Sequence, residues 1–94
     1  MPPIATAHVR ILGRVQGVGY RAWFEATALA LGLKGWVRNR HDGSVEAVLQ
    51  GPPERVAEML RRCEEGPPAA RVAGVEMLGE AMGTYAGFEV RRTS

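Results

Sequence analysis

Residues 7–51 read AHVRILGRVQGVGYRAWFEATALALGLKGWVRNRHDGSVEAVLQG, and their hydrophobic rhythm changes three times. Ala7, Val9 and Ile11 alternate with His8, Arg10 and Leu12, the period of two that half-buries a strand. After a glycine-rich stretch, Phe24, Ala28 and Leu31 recur at helical spacing and Gly32 supplies a stop. Residues 36–40 and 44–50 return to strand character on either side of Asp42-Gly43, a dipeptide suited to a hairpin turn because it tolerates positive φ. The segment therefore reads strand, helix, then an antiparallel strand pair.

Outward from it, Gly51-Pro52-Pro53-Glu54 opens a second helix, Val56, Leu60 and Cys63 line one face, and Gly66 closes it. Cys63 is expected to be a small core residue rather than a nucleophile. Ala73, Val75 and Met77 alternate as a fourth strand, and Phe88 with Val90 forms a short fifth after the glycine-rich connection 79–87. Prolines occur only as the adjacent pairs Pro2-Pro3, Pro52-Pro53 and Pro67-Pro68, which punctuate these elements.

The order βαββαβ with a terminal strand predicts one α+β domain over residues 1–94, a ferredoxin-like sandwich with a mixed sheet and both helices on one face. In that topology strands one and two run parallel with strand three between them. Their C-terminal ends then share a sheet edge, about 10 Å apart at two strand spacings.

Composition narrows the chemistry. The chain has 94 residues, 46% hydrophobic and 23% charged, enough for one core. Twelve basic and ten acidic side chains leave a formal charge of +2, so the basic pI is no sign of a polyanion partner. With one cysteine and two histidines, no disulfide within the chain and no zinc, haem or iron–sulfur site is expected. Ser44 and Ser94 are poorly placed for a Ser/His/Asp triad. The longest mainly apolar run, 26–33, falls short of the roughly 20 residues that span a bilayer, so a cytoplasmic monomer with no membrane partner is expected. Strand one offers His8, Arg10 and Leu12 to the open sheet face and strand three offers Glu46, Val48 and Gln50, without the aromatics that stack single-stranded nucleic acid.

Two segments remain to carry chemistry. Residues 13–21, GRVQGVGYR, join a strand to a helix, where inward backbone N–H groups and the helix N-terminus make an anion cradle. Arg21 adds a full charge whose planar fork grips phosphate through two parallel bonds. Gly17-Val18-Gly19-Tyr20-Arg21-Ala22 also imitates a dinucleotide fingerprint, but no acidic residue stands some twenty positions on and the next strand enters a hairpin. A Walker A reading fails because no Gly-Lys-Ser/Thr comes after the loop.

In the second segment, alternation sends Val37 and Asn39 to the helix-covered face and Trp36, Arg38 and Arg40 to the other. A mid-strand amide on an apolar face costs desolvation unless satisfied. Asn39, the only asparagine, could bond a nearby backbone group or start the turn. Beside the loop it could instead hold a water against a cradled phosphate, and the joint placement favours that role.

Together the two segments resemble the paired signatures of the acylphosphatase family, G-x-V-x-G-V-x-[FY]-R and G-W-V-x-N-x-x-x-G-x-V, over residues 11–51. The resemblance implies hydrolysis of small acyl phosphates without cofactor or metal. It implies that the backbone of Val15, Gln16, Gly17, Val18, Gly19 and Tyr20, with the Arg21 side chain, binds the phosphoryl group. Asn39 would position the hydrolytic water. The extra basic residues Arg14, Arg38 and Arg40 are expected on solvated surface, and Glu25, Asp42, His8 and His41 outside the chemistry. The alternative is a non-catalytic anion-binding or regulatory module on the same fold.

Overall fold

The computed structural model describes residues 3–79 and 83–94; Pro2 and part of the 79–87 connection lie outside the described residues. The elements run β1 (Ala5–Arg14), α1 (Tyr20–Ala30), β2 (Lys34–Asn39), β3 (Val45–Gly51), α2 (Pro53–Cys63), β4 (Arg71–Met77) and β5 (Phe88–Val90). All seven elements expected from the sequence are present, with ends shifted by a residue or two.

The strands form one sheet in the order β4-β1-β3-β2-β5. β3 lies antiparallel between β1 and β2, as the split βαβ topology requires, and β5 adds to β2 in parallel, pairing Gly35 with Phe88 and Val37 with Val90. Ile11 pairs with Val45, and Val45 with Asn39. These three residues form a single row across the sheet. Asn39 thus continues an apolar row whose other end leads, two residues later, into the glycine-rich loop.

One sheet face is dry. Val9, Ile11, Val37, Val45 and Leu49 from the strands pack with Phe24 and Ala28 of α1 and Val56, Met59 and Cys63 of α2. Fully burying each large aliphatic among them is worth roughly 1.5–3 kcal/mol, so this row pattern dominates the fold's stability. Phe24 meets Phe88 at 5.7 Å between ring centroids, which ties α1 to the edge strand β5. The Tyr20 hydroxyl donates to the Cys63 carbonyl at 2.8 Å, joining the start of α1 to the end of α2. Burial pushes the Cys63 thiol up to about 12, so it is protonated at neutral pH and inert, in line with a core role.

The other face is less open than strand alternation implies. Glu46 is buried there, accepting from His8 Nε2 at 2.6 Å, Arg38 Nε at 2.8 Å and Arg40 at 2.9 Å. Burial opposes its ionisation, but these hydrogen bonds prevail and hold its carboxyl below the ordinary value. Arg38 and Arg91 lie over Trp36, each 4.9 Å from its ring. Arg38 and Arg40 are therefore not solvated surface, as expected from the sequence, but partners of a buried carboxylate. Arginine stems are long enough to cover apolar surface while their heads pair, which pattern alone does not reveal. Arg14 is exposed, as expected.

Candidate active site

The loop between β1 and α1 takes its shape from two glycines. Gly17 and Gly19 have φ of 73° and 78°, whereas no other residue type in the described chain has positive φ. The sign of φ thus alternates from Gln16 to Gly19. Such alternation curls successive N–H groups toward one side and forms an anion-binding concavity.

Helix α1 begins there under unusual electrostatic conditions. Its N-cap is Gly19, with no capping side chain and no acidic residue in the first turn. Helix α2, by contrast, has Glu54 in its first turn and Arg61 and Arg62 in its last, the arrangement that complements the helix dipole. Arg21 stands in the first turn of α1, where a cation costs roughly 0.3–1 kcal/mol. Positive charge is thus concentrated where the fold alone would disfavour it.

A pocket of about 290 Å³ opens at this point, lined by Val15, Gly17, Gly19, Tyr20, Arg21, Ala22, Glu25, Asn39 and Val90. It lies near the lower end of the roughly 300–1,000 Å³ usual for ligand sites, which suits a small substrate. Arg21 and Asn39 meet in it, as the topology requires. Among the described residues, the side chains of Arg21, Asn39 and Glu25 have no hydrogen bond or ion pair with the protein. The alternative of an Asn39 amide bonded to a neighbouring backbone group thus finds no such group among the described residues. Glu25 was not expected here; it enters because it stands four positions after Arg21, one helical turn on along the same face.

Val15, Gly17, Gly19 and Tyr20 line the pocket, while Gln16 and Val18 do not. The Gln16 side chain has another task. Its Nε2 donates to the Arg40 carbonyl at 2.7 Å and the Ser44 carbonyl at 2.8 Å. These carbonyls flank the turn after Asn39, so Gln16 straps the loop to the strand end carrying the amide. Both carbonyls also accept backbone N–H groups, from Gly43 and Arg40. Gln16→Ala is accordingly expected to cost only about 1 kcal/mol of stability. It should lower kcat about ten- to hundredfold, since small misplacements of reacting groups are costly. Thermal denaturation and steady-state kinetics on the same preparation check both parts.

Asp42 serves the turn, its Oδ1 accepting from the Ser44 N–H and hydroxyl. His8 belongs to the Glu46 cluster on the far sheet face. No group of three or more His, Cys, Asp or Glu side chains comes together among the described residues.

The sequence model of the acylphosphatase family matches residues 7–90. The chain belongs to the acylphosphatase family. It is 67% identical over 67 residues to an acylphosphatase of Rhodopseudomonas palustris, covering 71% of this chain and 68% of that one. An acylphosphatase of Azorhizobium caulinodans is 53% identical over 89 residues, 94% of this chain and 96% of its own. Among solved structures, an acylphosphatase from Coxiella burnetii superimposes with a TM-score of 0.89 at 35% identity, covering 94% of this chain and 93% of that one. Acylphosphatase membership thus spans both the loop and the Asn39 strand. No helix among the described residues is long and apolar enough to cross a membrane.

Proposed function

We propose that this protein hydrolyses acyl phosphates to a carboxylate and inorganic phosphate, with Arg21 and the Val15–Tyr20 backbone holding the phosphoryl group and Asn39 holding the water. The observation that carries this reading is the convergence in one pocket of a guanidinium and an amide, both without a partner among the described residues, and an uncapped helix N-terminus.

Each part has a task in the reaction. The loop N–H groups and Arg21 neutralise charge on the three equatorial oxygens of a loose phosphoryl-transfer transition state. The Asn39 amide accepts a hydrogen bond from water through its oxygen and keeps the water oxygen in line with phosphorus. As the water oxygen bonds to phosphorus, the bond from phosphorus to the acyl oxygen breaks and its electron pair leaves with the carboxylate. Because a carboxylic acid has a pKa of only about 4–5, this leaving group departs without a proton. The water's proton passes to the substrate's own phosphoryl oxygen, so no protein acid is called on.

A phosphate ester would instead release an alkoxide, which normally demands a metal ion or a matched acid. The proposed specificity is therefore for mixed anhydrides. The Trp36 ring, covered by two arginines, offers no platform for stacked bases, which favours a small-molecule partner over nucleic acid. We place the protein in the cytoplasm as a monomer.

The deciding experiment is acetyl phosphate hydrolysis, with and without a chelator, beside a phosphate monoester. The expected result is turnover of acetyl phosphate alone, unchanged by chelator and competitively inhibited by inorganic phosphate. Phosphate binding without any turnover would instead establish the anion-binding module.

A further inference from the structure

Glu25 is an oddity in a pocket built for an anion. Its carboxylate shares the pocket with Arg21 and, among the described residues, has no hydrogen bond or ion pair. The two stand four positions apart on the helix, a rise of about 6 Å. That spacing permits an ion pair, yet none forms between them. Glu25 is therefore not tied up in a direct contact with Arg21, and its charge opposes phosphate rather than assisting it. Phosphate binding alone gives no reason for a carboxylate at this position.

The acyl group gives one. With the phosphoryl group seated at the loop and the start of α1, the rest of the substrate extends along the remaining pocket walls. Beyond Asn39, those walls are Ala22, Glu25 and Val90, two small apolar side chains and one negative charge. Building on the proposed activity, we infer that Glu25 is a specificity-determining residue, selecting acyl groups that are cationic or neutral and rejecting those with a second negative charge. Reversing the sign of a substituent about 6–8 Å from a carboxylate in water-like surroundings changes the interaction enough for about a tenfold preference. The effect weakens with salt because the site is open to solvent.

Three aryl acyl phosphates test this with the reacting group held constant: benzoyl phosphate, 4-carboxybenzoyl phosphate and 4-(trimethylammonio)benzoyl phosphate. In the wild-type protein, kcat/KM for the cationic substrate should exceed that for the anionic one by about tenfold, relative to their uncatalysed hydrolysis. Glu25→Gln should bring that ratio within about twofold, and Glu25→Lys should invert it. Inhibition by inorganic phosphate, a readout free of the acyl group, should tighten about two- to fivefold in Glu25→Gln. A ratio and a phosphate affinity that both stay at wild-type values in Glu25→Gln would overturn the inference alone. Failure of the wild-type protein to hydrolyse benzoyl phosphate would overturn the hydrolase reading, and this inference with it.

Discussion

Arg21→Ala should lose about 1,000-fold in kcat/KM for acetyl phosphate, along with measurable inhibition by inorganic phosphate. Truncating one partner of a charge-assisted bidentate contact in a preorganised site commonly costs 2–5 kcal/mol, and each 1.36 kcal/mol is a factor of ten in rate. Nothing nearby can substitute. The backbone cradle keeps its partial charges, but Glu25, the remaining charged group in the pocket, has the wrong sign. Arg21→Lys retains charge without the planar fork and should recover only part of the loss. Stability should move the other way. Among the described residues Arg21 has no internal partner, and it stands in the first turn of α1, where its charge opposes the helix dipole. Its replacement by the best helix former should raise stability by a few tenths to about 1 kcal/mol. A higher thermal midpoint with abolished turnover separates a binding role from a structural one. Loss of both would assign Arg21 to the fold.

This opposition between stability and chemistry explains which features were legible in the sequence. Strands and helices arise from burial, and burial leaves a period. Val9 and Ile11, Val37 and Val45, and Phe24 and Ala28 announce their faces because each must reach the same core. The meeting of Arg21 with Asn39 was legible for a similar reason, since strand order alone sets the distance between the loop and the end of β2. Cooperation among side chains outside the core leaves no such period. Glu46 reads as a solvated residue because alternation gives its direction but not the histidine and two arginines converging on it. Gln16 reads as part of the loop, whereas its side chain reaches two carbonyls across a gap that only the folded chain defines.

The fifth strand shows another limit. Its three residues carry too little pattern to choose an edge, and the contact of Phe88 with Phe24 accompanies its parallel pairing with β2. That choice bears on the site, because it brings Val90 to the pocket wall. It also anchors the C-terminal residues along β2: Arg91 donates its backbone N–H to the Val37 carbonyl and Ser94 to the Asn39 carbonyl. Asn39 is thus flanked on both sides, by its register partner Val45 of β3 and by the residues after β5. Glu25 is illegible for a simpler reason, as a lone acidic residue on a helix reads as solvated surface until its neighbours are known.

Asn39→Ala should lower kcat for acetyl phosphate about 100- to 1,000-fold while KM and phosphate inhibition stay within about threefold. The asymmetry with Arg21 comes from what each group touches. In the proposed mechanism the amide aligns the nucleophile, and loss of an oriented dipole of this kind commonly costs 10²–10³ in rate; the phosphoryl group itself remains in its cradle. Stability should hold or improve, because Asn39 continues the apolar row of Ile11 and Val45 and its amide, without a partner among the described residues, carries a desolvation cost there. Asn39→Asp provides the complementary test. It keeps the size and the accepting oxygen but adds negative charge beside the phosphoryl group, so phosphate inhibition should weaken where the alanine variant leaves it unchanged. If Asn39→Ala instead raised KM in proportion to its loss of kcat/KM, with kcat intact, the amide would be a substrate ligand rather than the holder of the water. The two substitutions together thus separate charge from orientation at a single position: Asp disturbs the binding of the anion, and Ala disturbs only the approach of the nucleophile.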